Sequence, residues 1–505
     1  MSQKIAIIDL GSNSVRMLLM KVFEDGSYKL LDEVKDMVRL SQNMGDEKTL
    51  KPLPIKRTMN TLQLFLKLIK VHQVDHIIPV ATAAVRIAAN QKEFLEKVAL
   101  ETGFQFRVIT GEEEAYYGYL GVVNTLPVER GVTIDIGGGS TEITWIEDNQ
   151  KKELVSFDFG AVTLTERFIG REVITKEKVQ QVEDFIAKEM DKLDWLTSLE
   201  NYPVIGIGGT IRTLAKMDKH RIDFPLESLH NYQMTIKEVE DAYGQVTSGT
   251  VQEIRKISGV NKERADLIAA GLAPVHSLMK KLKAKQLIIS GNGLREGLFY
   301  EQYLKEIRYP KPVLEDVLFD SIDNIIKNFG MNEKHCYRVK TLALALYDQT
   351  VELHNLGLDE RKLLAVAALI HDLGMSIDYY NHHKHGFYLS LNARIHGLSN
   401  RQRVMVAFLV GSHRENSLKK DWRDYHMLVN EEDMKKVEKM SIFLKIAEKL
   451  DRSEYGSIEG LNCYITEEDV QIMVKSTTTS ELEISSAMKF DKDFKKIYGR
   501  SLYIV

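Results

Sequence analysis

The stretch Gly131-Val132-Thr133-Ile134-Asp135-Ile136-Gly137-Gly138-Gly139-Ser140-Thr141-Glu142 constrains this chain more than any other. Strand-type apolar residues deliver an aspartate into three consecutive glycines, so a strand empties into a loop of phosphate size. Glycines 137 to 139 can take φ > 0 and bring backbone N–H groups close to an anion. Asp135 and Glu142 are hard oxygen ligands suited to Mg²⁺. Taken alone, such a turn is equally compatible with a tight hairpin.

An echo near the N-terminus adds weight to the first reading. Ile7-Ile8-Asp9-Leu10-Gly11-Ser12-Asn13-Ser14 repeats the pattern of apolar run, Asp, one residue, Gly and small polar residues. Two Asp-x-Gly strand-turns imply a duplicated domain, each half offering one phosphate loop (Gly11, Ser12, Asn13; Gly137, Gly138, Gly139, Ser140) to a shared cleft. Asp9 then joins the candidate Mg²⁺ ligands, although a turn-capping aspartate has the same signature. A third cluster, Gly206 to Thr210, and a fourth, Gly291 to Gly293, also follow short apolar runs and precede helix-forming residues. Gly208, Gly209 and Thr210 extend the candidate phosphate contacts, with a helix cap as the plainer role for Thr210.

At 505 residues the chain exceeds the size at which one core stops growing, which predicts three or four compact units. Its 44% apolar and 28% charged residues are those of a globular protein in water. A formal net charge of −4 gives no global attraction to a polyanion, so an anion site must concentrate basic residues locally. The two cysteines, Cys336 and Cys463, form no Cys-x-x-Cys pattern and fit a reducing cytoplasm. No apolar run approaches a membrane span, so neither a signal peptide nor a membrane helix is expected.

Residues 4 to 22 read as a hairpin, with Glu24-Asp25-Gly26 as a turn. A helix is expected over Ile55 to Val71, a strand over Asp75 to Val80, and a helix carrying Arg86 capped by Thr82. A strand from Phe104 to Ile109 leads to Gly111 and the acidic helix start Glu112-Glu113-Glu114-Ala115. Strands near 131–146 and 153–159 follow, then a helix near 175–195, helices over 235–282, a strand from Gln286 to Ser290 and a closing helix from Leu294. This alternation predicts layered α/β lobes at 1–125 and 126–306, joined by a linker at Ile307 to Pro312. Helical patterns dominate 313–455. Short β-type runs, Asp469 to Val474 and Ser480 to Ile484, mark 456–505 as a small α+β tail.

Six segments stand in one order: Asp9 to Ser14, the helix-borne Arg86, Thr110-Gly111-Glu112-Glu113-Glu114-Ala115, Asp135 to Glu142, Gly208-Gly209-Thr210-Ile211-Arg212, and Ser290 to Gly297. Together, over roughly residues 1 to 305, they resemble the exopolyphosphatase/guanosine pentaphosphate phosphatase family. The resemblance implies an α/β fold of duplicated ribonuclease H-like domains, shared with acetate kinase, sugar kinases, Hsp70 and actin. It implies hydrolysis of the terminal phosphoanhydride of inorganic polyphosphate, or of guanosine pentaphosphate to the tetraphosphate, with Mg²⁺. On that basis Glu114 is the catalytic base and Arg86 the phosphate-contacting arginine, while Asp135 and Glu142 lie near the metal. A homodimer is expected by the same analogy, with neither nucleic acid nor membrane as partner.

Phosphoryl transfer passes through a loose transition state, so its catalyst chiefly positions groups and neutralises oxygens. Loop N–H groups, Arg86 and Mg²⁺ suit that task. The plainer account of Glu112 and Glu113 is that first-turn acids complement the helix dipole. An actin-like ATP-dependent kinase is the alternative, with Ser290 to Gly297 where that superfamily holds adenosine. A non-catalytic polyphosphate or alarmone binder is a third reading.

The helical remainder resembles the HD-type third domain of that family's longer members. His335, His371-Asp372 and Asp451 follow the ligand order of HD-domain metal phosphohydrolases, which implies a second divalent-metal site. His382, His383, Lys384 and His385, on a loop or helix start, are placed to line an anion path. Arg401, Arg403, Arg414, Lys419, Lys420 and Arg423, interrupted by Glu415, Asp421 and Asp424, form either a solvated face or a channel for polyphosphate.

Overall fold

The computed structural model describes residues 2–170, 173–414 and 421–505. Two compact units divide the chain: Met1–Phe224 with Ser228–Glu315, and Pro225–Glu227 with Asp316–Val505.

The first unit opens with β1 (Gln3–Leu10), β2 (Val15–Val22), β3 (Tyr28–Asp36), β4 (His76–Ala81) and β5 (Arg107–Val108), in the order β3-β2-β1-β4-β5. Ile5, Ala6, Ile7 and Ile8 are all fully buried. Covered on both faces, β1 therefore reads as a continuous apolar run. β3 was not anticipated, because its Tyr-Lys-Leu-Leu-Asp-Glu-Val-Lys-Asp is charged along an edge that is only half buried. The expected strand at 104–109 shrinks to two residues.

After β6 (Arg130–Ile136), β7 (Thr141–Glu147) and β8 (Gln150–Phe157) come β9 (Val173–Ile174), β10 (Val204–Ile207), β11 (Tyr232–Thr235), β12 (Gly249–Thr250) and β13 (Gln286–Ile289). β9 and β12 form a small ladder, while the others make a sheet ordered β11-β13-β10-β6-β7-β8. Counted from β3 and from β8, the two large sheets share one order. Their successive pairings also agree: antiparallel, antiparallel, parallel, parallel.

Both Asp-x-Gly turns close hairpins in the same way. Gly11 N donates to Ser14 O at 3.1 Å, and Gly137 N donates to Ser140 O at 3.0 Å. Contrary to the φ > 0 expectation, Gly11, Gly137, Gly138 and Gly139 all have ordinary φ. Glycine is needed there for close approach: a Cβ on Gly138 would lie 2.9 Å from Ser12 Cβ, and one on Gly139 3.1 Å from Ser12 Oγ. The two loops touch, and a side chain would push them apart. The third and fourth clusters do lead into helices, Gly208–Ile222 and Leu294–Glu306. Thr210 lies inside the former helix, whose cap position is Ile207.

The second unit packs helices Val317–Asn328, Glu333–Gln349, Leu358–Ile370, His382–Asn392, Asn400–Gly411 and Glu431–Leu450. A sheet of β14 (Ile458–Ile465), β15 (Asp469–Ser476) and β16 (Ser501–Ile504) follows, antiparallel then parallel. Ser480 to Ile484, read as a β-type run, belongs instead to helix Glu481–Met488. Five alternating residues fit either period, and burial of Ala487 and Ser486 one turn on favours the helix. Among the described residues no helix is long and apolar enough to cross a membrane.

Candidate active site

One pocket of the first unit gathers most of the sequence candidates. Asp9, Gly11, Ser12, Asn13, Glu114, Asp135, Gly137, Gly138, Ser140, Gly209 and Thr210 line it. Arg86, Gly139, Gly208 and Glu142 stand outside the lining. Gly208, at φ +90°, abuts Asp135, where a Cβ would come 2.6 Å from Oδ1. Glu142 is 3% exposed and accepts a 2.8 Å hydrogen bond from Ser156 Oγ.

Glu114 sits in the first turn of helix Gly111–Val123. Its neighbour Glu113 closes a capping box with Thr110 and pairs with Arg107 at 2.7 Å, so the acidic start splits into a structural and a pocket-facing half. Arg86 Nη1 donates to Ile109 O at 2.9 Å and to Glu114 Oε2 at 3.1 Å. It thus holds the carboxylate from behind. Thr82 occupies the cap position before Arg86 without a side-chain capping bond, and lines the pocket.

Four arginines converge on the same pocket: Arg16, Arg212, Arg264 and Arg295. Sequence reasoning assigned none of them, although Arg212 and Arg295 sit inside two of the quoted motifs. Arg16 lies two residues beyond another, while Arg264 has no local signal. Burial and the other three arginines push Arg16 down to about 9. Burial would raise Glu33, but Arg295, 2.8 Å away, leaves its carboxyl below the usual range. Arg264 Nε is buried without a hydrogen-bond partner among the described residues, and Gly209 leaves room for its guanidinium. On a chain of net charge −4, so dense a cluster of cations is built for an anion.

Burial raises every carboxyl here. Asp135 is pushed up to about 6 and Glu114 to about 8, Asp135 and Asp9 adding to the effect on Glu114 against the pull of Arg86. Asp9 is raised against the pull of Arg16 and Arg295, and Glu142 lies well above the usual range. Hard oxygens that repel one another in a buried pocket fit a divalent cation, and Mg²⁺ takes one or two carboxylates with water and substrate phosphate. Asp9 and Asp135 meet that description.

A folded state that keeps protons the unfolded chain releases loses stability as pH rises. The contribution of Asp135 and Glu114 is therefore complete below about pH 4 and lost through pH 6 to 8. Metal-free protein is expected to melt lower at about pH 8.5 than at about pH 5, with Mg²⁺ restoring much of the difference; thermal denaturation with and without Mg²⁺ checks this. Identical melting at both pH values would contradict it.

In the second unit His335, His371 and Asp372 bring ligand atoms within one coordination shell. Asp451 stands behind them: its Oδ2 is 2.7 Å from His335 Nδ1, and both its oxygens accept from Arg338 Nε at 2.9 Å. His382 and His383 lie buried in the first turn of helix His382–Asn392, and Lys384 is exposed. His382 faces Asp372, while His383 lines a cavity with Arg414, Lys449, Arg452 and Lys489. The expected basic stripe dissolves into ion pairs. Arg401 pairs with Asp433 and Arg423 with Asp421, while Arg403 is buried and bonded to Ile395 O. Glu415, Lys419 and Lys420 lie outside the described residues.

Twin sheets around an anion pocket of carboxylates and arginines define a phosphoryl-handling protein of the actin-like ATPase type. Residues 21–306 match the Ppx/GppA phosphatase family and residues 319–489 match "Ppx/GppA phosphatase, domain III", so the chain belongs to the Ppx/GppA phosphatase family. A guanosine-5'-triphosphate,3'-diphosphate pyrophosphatase of Pseudoalteromonas atlantica is 30% identical over 420 residues, 81% of this chain and 79% of that one. The solved structure of the Aquifex aeolicus Ppx/GppA family member is 31% identical, with a TM-score of 0.53, over 61% of this chain and 99% of its own. That of an exopolyphosphatase from Cytophaga hutchinsonii shares the fold at 24% identity, with a TM-score of 0.57, over 60% of this chain and 98% of its own.

Proposed function

We propose that this protein is an exopolyphosphatase that releases orthophosphate from the ends of inorganic polyphosphate, with guanosine pentaphosphate, converted to the tetraphosphate, as a second substrate. The observation that carries the reading is the convergence of Glu114, Asp9, Asp135, two backbone loops and four arginines on one pocket. The pentaphosphate arm is favoured by the name of the Pseudoalteromonas relative.

Arg16, Arg212, Arg264 and Arg295 bind the terminal phosphates, and the Gly11 to Asn13 and Gly137 to Ser140 loops cradle their oxygens. Glu114, oriented by Arg86, takes the proton of the attacking water at a carboxylate oxygen. Mg²⁺ held at Asp9 and Asp135, with Glu142 behind them, would neutralise charge on the transferred phosphoryl group. The repeated strand order supports reading the lobes at 1–125 and 126–306 as ribonuclease H-like duplicates, with an HD-like domain at 313–455 and an α+β segment at 456–505. A single metal at His335, His371 and Asp372, steadied by Asp451, completes the HD-like reading. We place the enzyme in the cytoplasm as a homodimer.

The test is phosphate release from polyphosphate and from guanosine pentaphosphate with Mg²⁺ and no acceptor. Release from at least one, abolished by a chelator, is the expected result. A requirement for ATP and an acceptor would make the protein a kinase, and binding without release would make it a receptor.

A further inference from the structure

The second unit arranges four histidines around Asp372 in two pairs. We propose that this centre holds two divalent transition-metal ions bridged by the Asp372 carboxylate, with His335 and His371 serving one ion and His382 and His413 the other. The proposal rests on the single-metal HD-like reading and extends it by a second subsite that the sequence motif does not contain.

The two oxygens of Asp372 face different pairs. Oδ2 lies 3.7 Å from His335 Nε2 and 3.5 Å from His371 Nε2. Oδ1 lies 3.3 Å from His382 Nε2 and 3.8 Å from His413 Nε2. Each trio has its ligand atoms within 4.8 Å of one another, and no other such group occurs among the described residues. A carboxylate that offers one oxygen to each of two ligand sets has the shape of a bridge.

The far side of each ring fixes its chemistry. Nδ1 of His371, His382 and His413 donates to the carbonyls of Ala368, Tyr379 and Val410 at 2.8, 2.8 and 2.6 Å. His335 Nδ1 faces Asp451 Oδ2. Such bonds fix the tautomer of a metal-ligating imidazole and leave Nε2 as the lone-pair atom. Yet the Nε2 atoms approach each other, at 3.2 Å for His335 and His371 and 3.0 Å for His382 and His413. All four rings are 4% exposed or less, so water does not separate them. A cation on each side satisfies two lone pairs and a carboxylate oxygen together.

The backbone is built to hold this arrangement. His371 ends helix Leu358–Ile370, and Gly374 lets the next turn lie against His382, where any Cβ would strike the His382 carbonyl. His413 lies just past helix Asn400–Gly411. Asp372 keeps 22% exposure, and the cavity lined by His383 and Arg414 adjoins the centre, giving ions a route in. Imidazole-rich sites with one carboxylate suit manganese, iron or zinc better than magnesium.

The test uses the full chain, stripped with a chelator and reloaded with Mn(II) in excess Mg²⁺, so that Mg²⁺ occupies the carboxylate pocket of the first unit. Two Mn(II) per chain by mass spectrometry, with the multiline resonance of an exchange-coupled pair, is the expected result. His382→Gln and His413→Ala should each reduce this to one uncoupled ion. If either variant fails to fold, the wild-type spectrum decides by itself. One uncoupled ion in the wild type overturns the bridged pair while sparing the single-metal reading. None overturns both, and neither outcome touches phosphate release by the first unit.

Discussion

Glu114→Gln is expected to lower kcat for phosphate release by roughly 10²–10⁴-fold, the range lost with a general base. The amide oxygen can still accept from Arg86 Nη1, which now lies 3.1 Å from the carboxylate, so the fold and substrate binding should survive. The wild-type kcat/KM should rise with pH as Glu114, pushed up to about 8 by burial, gives up its proton. In the variant that limb should vanish. Steady-state kinetics across pH, with circular dichroism to confirm folding, make the comparison. A variant of near-normal rate would remove Glu114 from the chemistry.

Arg212→Ala should act mainly on binding. Its Nη1 is anchored to Gly291 O at 3.1 Å, which aims the rest of the guanidinium along the pocket. A charge-assisted hydrogen bond to a charged group is worth about 1.5–3 kcal/mol, so KM should rise about 10–100-fold with a smaller change in kcat. Arg212→Lys should recover only part of the loss, because an ammonium cannot reproduce a planar fork. Equal KM values for the three proteins would place Arg212 among groups that merely balance Glu296 and Asp135.

The loops were legible because their chemistry is local. Aspartate, glycines and small polar residues after an apolar run announce a strand-turn whatever the rest of the chain does. The reason for the glycines was not legible. It lies in contact between Ser12 and Gly138, residues far apart in sequence, and φ plays no part. Glu142 shows the same limit from the other side. It is opposite Asp135 in the β6–β7 register, yet bonded to Ser156 and outside the pocket lining. Arg264 and His413 carried no motif, since each reaches its site from a helix or loop whose packing no window of sequence contains.

By itself, then, the sequence determined the twin strand-turns, the acidic helix start at Glu114, the HD-like dyad at His371 and Asp372, and through them the family. These follow from side-chain chemistry and periodicity within a dozen residues. Tertiary structure alone decided that four arginines share one pocket, that Arg86 steadies Glu114, that Asp451 braces His335, and that Asp372 turns its two oxygens toward different histidine pairs. The reason is geometric: convergence depends on register, burial and close approach between distant segments, and these exist only once the chain has packed.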